Sequence, residues 1–116
     1  MLSGPSYLKA YRHRSGLTQA EVARLLGFDA PVSISRYENF QRVPHLEAAL
    51  ALEMLFDASV GELFPQVSEK VLTDLLQEIE ALHEEIRKNA LPADHYKVAA
   101  LANMQARLRE FCTTLM

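Results

Sequence analysis

Cysteine, tryptophan and glycine are almost missing from this chain of 116 residues, which holds one, none and four of them. The single thiol, Cys112, excludes a disulfide framework and any metal centre built on paired cysteines, and it suits a reducing cytoplasm. Between Phe111 and Leu115 it reads as a small buried hydrophobe. No stretch is dominated by Gly, Ser or Pro, so neither a flexible linker nor a low-complexity tract is expected. Long apolar runs are missing too: nothing approaches the ~20 residues that cross a bilayer. The opening MLSGPSYLKAYRHR lacks the apolar core of a signal segment. A soluble, cytoplasmic chain is expected. Its 49% apolar content suffices for one compact core, or for a small domain with an appended element.

Chemistry-bearing clusters are equally scarce. His13, His45, His83 and His95 are scattered, and the HEEIR run at His83 has arginine where a zinc site would need a second histidine. There is no glycine-rich phosphate loop, no activated serine and no Cys/His pairing. The acidic cluster from Glu78 to Glu85 has no apolar pocket beside it to raise a carboxyl pKa, and reads as solvated surface. Neither an enzyme nor a cofactor is expected.

What the chain does have is an uneven charge. Residues 1–44 hold six basic side chains (Lys9, Arg12, Arg14, Arg24, Arg36, Arg42) against three acidic ones, a net +3. Residues 45–116 hold six basic against twelve acidic, a net −6, which gives −3 for the whole chain. A basic N-terminal part suits contact with phosphates, and an acidic remainder suits solubility.

Apolar residues recur at three- and four-residue spacing throughout, with no alternating run, so the fold is expected to be all-α. A first helix from about Ser6 to Ser15, with Leu8 and Tyr11 facing the core, stops at Gly16. Thr18 stands three residues before Glu21, a capping box that starts a second helix near Thr18. Val22, Ala23, Leu25 and Leu26 supply its apolar face, and Gly27 ends it. After the turn FDAP, Pro31 opens a short third helix in VSISRYEN, with Ile34 and Tyr37 on one side. Pro44 precedes a longer helix in HLEAALALEMLF, and a second capping box, Ser59 with Glu62, opens the short helix SVGELF. Five helices thus fit within residues 5–65, and Pro65 marks a boundary.

Beyond it the pattern changes. Leu72, Leu75, Ile79, Leu82 and Ile86 follow a 3,4,3,4 spacing, with acidic residues on the remaining surface. After a break at Asn89–Asp94, with Asp94 as cap, Leu101, Met104, Leu108, Phe111 and Leu115 repeat it. Two helices of about 20 residues, each ~30 Å long, joined by a short loop, make an antiparallel hairpin. Isolated hairpins lack a full core, so these two seams are the expected dimerisation surface, although packing on their own domain or on a different protein would also cover them.

Two helices joined by a short turn, the second short and carrying exposed polar residues, form a helix-turn-helix, whose second helix enters the major groove of DNA. The runs LTQAEVARLLG, SISRYEN and RVPHLEAALALEMLFDASVGELF resemble the lambda-repressor/Cro (Xre) type of domain over about residues 6–65. Leu17-Thr18-Gln19, Ala23, Gly27, Ile34-Ser35-Arg36, Glu38, Pro44 and Leu63-Phe64 carry the likeness. It implies double-stranded DNA as partner, read by a homodimer at two half-sites, with repression of transcription as the usual outcome. An antitoxin-like module, whose C-terminal hairpin binds a partner protein, is the alternative.

By this resemblance Gln19 grips a phosphate at the start of the second helix and positions the domain. Ile34 and Tyr37 match buried positions, leaving Val32, Ser33, Ser35 and Arg36 toward base edges or the flanking backbone. Arg36 can donate two hydrogen bonds to guanine, whereas Val32 can only touch a thymine methyl. Asn39 and Arg42, in the following loop, match phosphate-contacting positions. Arg12 and Glu38 match a pair that is structural in the family. Two departures stand out: the turn GFDAPVS is one residue longer than the shortest family pattern, and Pro31 and Val32 stand where polar base-reading residues are common.

Overall fold

The computed structural model describes residues 6–89 and 91–115, with side chains as far as Phe111. The expectations for the Cys112 and Leu115 side chains lie outside these. Described residues form seven α-helices and no strand: α1 Tyr7–Ser15, α2 Gln19–Leu25, α3 Val32–Glu38, α4 Leu46–Phe56, α5 Val60–Leu63, α6 Pro65–Lys88 and α7 His95–Leu115, with a short 3₁₀ turn at Pro92–Asp94. The chain divides into two compact units, residues 1–68 and 69–116.

Local chemistry sets the boundaries in the first unit. Gly16 ends α1 in the left-handed conformation, φ 78°, where a side chain would be strained. The capping box of α2 is complete: the Thr18 hydroxyl accepts from the Glu21 amide at 3.1 Å, and the Glu21 carboxylate accepts from the Thr18 amide at 2.9 Å. Ser59 and Glu62 repeat it at α5, at 3.1 and 3.2 Å. The exit from α2 is a Schellman motif: Gly27, φ 80°, donates to the Arg24 carbonyl at 3.1 Å and Phe28 donates to Ala23 at 2.8 Å. Phe28 then meets the Tyr37 ring edge-on at a centroid distance of 6.4 Å, which ties the turn to α3. At α4 the cap is His45, whose Nδ1 accepts from the Ala48 amide at 3.2 Å.

These helices bury Leu8, Val22, Ile34, Leu52 and Leu63 completely, with Ala23, Tyr37, Ala48 and Phe64 around them. Leu25, expected on the buried face of α2, is instead 58% exposed. The face that meets the core is centred between Val22, Ala23 and Leu26, and Leu25 is turned about 110° from its middle at 3.6 residues per turn, so it falls on the flank.

In the second unit α6 and α7 pack as an antiparallel hairpin. Glu80 reaches Gln105 at 3.2 Å and Arg109 at 3.1 Å across it. Asp94, expected to cap α7, sits in the 3₁₀ turn, where its carboxylate accepts from the Leu91 amide at 3.1 Å.

Candidate nucleic-acid interface

α3 has two sides set by its own sequence. Ile34, Tyr37 and Glu38 point inward and are buried, while Val32, 48% exposed, and Arg36 point to solvent, with Ser33 and Ser35 half-buried between them. The Pro31 carbonyl accepts from the Ile34 and Ser35 amides at 3.0 and 3.2 Å, which starts the helix and fixes its register despite the longer turn.

A charged residue on the inward side needs a partner, and Glu38 has several. Arg12 of α1 donates to it with Nε at 2.5 Å and Nη2 at 3.1 Å, a two-pronged ion pair with both side chains at least nine-tenths buried. The third Arg12 nitrogen, Nη1, donates to the Leu17 carbonyl at 3.1 Å. The family-type pairing of Arg12 with Glu38 is therefore present.

Sequence reasoning missed a third member of this cluster. Gln19 Nε2 donates to Glu38 Oε1 at 3.0 Å, so the first residue of α2 is clamped by the last residue of α3. One Gln19 N–H is thereby committed, and its second N–H and carbonyl oxygen are left for an outside ligand. Nothing in a 19-residue separation signals this contact. The only sequence hint is a carboxylate beside Tyr37 on the inward side of α3.

The loop after α3 is held just as closely. Asn39 Nδ2 approaches Ser35 Oγ at 3.4 Å, and the Gln41 and Arg42 amides both donate to the Arg36 carbonyl, at 2.9 and 3.3 Å. Phe40 takes the left-handed conformation, φ 57°, to make that return. Asn39 and Arg42 are exposed, as Arg36 is. The residues expected to touch DNA are thus gathered by hydrogen bonds around a single helix: Gln19 through Glu38, Asn39 through Ser35, Arg42 through the Arg36 carbonyl. Hydrogen bonds from the Thr18 backbone and side chain hold the Glu21 carboxyl below the ordinary 4.5.

An all-helical unit in which α2, a tight turn and a short α3 are set against a common core is a helix-turn-helix, the architecture of DNA-binding domains. Residues 6–63 match the family model described as a helix-turn-helix domain, and the chain belongs to that family. This agrees with the Xre/Cro-like resemblance of its sequence. No curated protein and no solved structure matches the chain. Among the described residues no helix is long and apolar enough to cross a membrane.

The seams of the hairpin divide. Leu72, Ile79 and Leu101 are buried, and Ile86 and Leu108 are half-buried. Leu75, Leu82, Met104 and Phe111 stay 40–62% exposed.

Proposed function

We propose that this protein is a sequence-specific transcriptional regulator, a homodimeric repressor that reads a pseudo-palindromic operator with half-sites ~34 Å apart. The observation that carries the reading is the division of α3: an apolar and ion-paired inner side locks the helix against α1 and α2, while Val32 and Arg36 are presented outward at fixed height. A rigid helix with one long donor in the middle is what base-edge recognition in the major groove requires. Arg36 reads a guanine, and Val32 favours a thymine methyl. Ser33 and Ser35 contact either bases or the adjacent backbone. Gln19, Asn39 and Arg42 hold phosphates and set the register.

Selection of bound sequences from a random duplex pool at roughly physiological salt tests this, because low salt inflates nonspecific phosphate attraction. Enrichment of a two-fold-symmetric site is expected. Recovery of no preferred sequence would sink the proposal. In the enriched site, Arg36→Ala should cost about 1–3 kcal/mol and relax preference at one base pair in each half-site.

A further inference from the structure

The hairpin has one finished side and one open side. On the finished side, Glu80 of α6 is clasped by Gln105 and Arg109 of α7. On the other side Leu75, Ile79, Met104, Leu108 and Phe111 line an apolar groove of about 450 Å³. Arg107 lines the groove on the α7 edge. Glu78 stands three residues after Leu75 and next to Ile79, as Arg107 stands three after Met104 and next to Leu108, so the helical period puts it toward the opposite, α6 edge. Both are exposed and without an ionic or hydrogen-bonded partner among the described residues. A water-facing groove of this composition, on a unit of two helices, is an incomplete core.

Resting on the homodimer reading above, we infer that the groove is filled by the same groove of a second copy of this chain, in a four-helix bundle whose two-fold axis runs parallel to the helices. Charge selects both the occupant and the axis. Two such hairpins can meet face to face in two symmetric ways. With the axis across the helices, α6 lies on α6 and α7 on α7, so Glu78 edges meet Glu78 edges and Arg107 edges meet Arg107 edges. With the axis along the helices, α6 lies on α7 of the second copy, and the acidic edge meets the basic one twice.

The heights also agree. Glu80 is held by Gln105 and Arg109, so Arg107, midway between them, stands level with residue 80. Rotation about an axis parallel to the helices leaves that level unchanged. Arg107 of the second copy therefore comes within about 3 Å, in height, of Glu78, two residues away at 1.5 Å per residue. The same axis brings the N-termini of both α6 helices to one end of the bundle, as simultaneous use of two half-sites requires.

Sedimentation equilibrium of the full chain and its variants tests the arrangement, with circular dichroism to verify that each variant keeps native helicity. The wild-type chain should be a dimer at micromolar concentration, and Leu75→Glu should be a folded monomer. Glu78→Arg and Arg107→Glu should each weaken association by about tenfold, since two symmetric rim pairs turn repulsive. The double variant E78R/R107E should recover most of that loss. A wild-type monomer, or one that instead binds a different protein through the groove, overturns the inference. A dimer unaffected by Leu75→Glu overturns the groove while leaving the homodimer reading standing. A dimer whose affinity changes with neither Glu78→Arg nor Arg107→Glu overturns the parallel axis, because across a perpendicular axis each reversal only exchanges one like-charged pair for another. None of these outcomes depends on DNA, so failure of the sequence selection is distinguishable from failure here.

Discussion

Removing the Glu38 carboxylate should nearly unfold the first unit. Glu38→Ala deletes three hydrogen bonds at once, two from Arg12 and one from Gln19, and leaves a guanidinium that is about nine-tenths buried with only the Leu17 carbonyl. Breaking a buried pair from one side costs about 3–5 kcal/mol, because an uncompensated charge stays behind. A unit of 68 residues has roughly 3–10 kcal/mol in total at ordinary stability per residue. The variant should therefore lose most of its folding free energy, with a fall in Tm of about 12 °C or more at ~4–8 °C per kcal/mol. Urea titration followed by circular dichroism measures it. The double variant R12A/E38A should be less damaging than the sum of its singles by about 2 kcal/mol, since the second removal takes away the stranded charge. A cost below about 1 kcal/mol for Glu38→Ala, or strict additivity in the double variant, would refute the account of a desolvated, mutually dependent pair.

Three further outcomes follow from the same geometry. Arg42→Ala should weaken binding to all DNA sequences alike and lower the salt slope by about 1, whereas Gln19→Ala, with no charge to lose, should weaken binding uniformly and leave the slope unchanged; filter binding across a salt series separates them. Because the Glu21 carboxyl titrates below 4.5 in the fold, its contribution is complete above that unfolded value and is lost as pH falls through the lower folded one, so the stability gap between wild type and Glu21→Gln should close in acid and stay constant from mild acid to neutrality. Gly16→Ala should cost about 1 kcal/mol purely through backbone strain at φ 78°, as no atom lies within 4 Å of the added methyl, and Gly16→Asn should cost less; equal urea midpoints for the three proteins would contradict this.

What the sequence determined by itself is the set of interactions that close within one turn of chain. Thr18 with Glu21, Ser59 with Glu62, and the glycines at 16 and 27 are cap chemistry, and a cap depends on residues at most five apart, so helix number, order and ends were readable to within a residue or two. The likeness of LTQAEVARLLG and SISRYEN to the family added the pairing of Arg12 with Glu38 and the outward placement of Arg36. Tertiary structure decided everything that depends on which neighbour covers which side. Spacing places Leu25 with the other apolar residues of α2, yet the core is filled by Val22 and Ala23 and leaves it in water. Gln19 and Glu38 meet only because α2 and α3 pack together, and no periodicity encodes a bond between the start of one helix and the end of another. In the hairpin, a 3,4 spacing marks a stripe wider than one neighbouring helix can cover. The structure buries Leu72, Ile79 and Leu101 and leaves Leu75, Leu82, Met104 and Phe111 40–62% exposed, a division that spacing alone does not make.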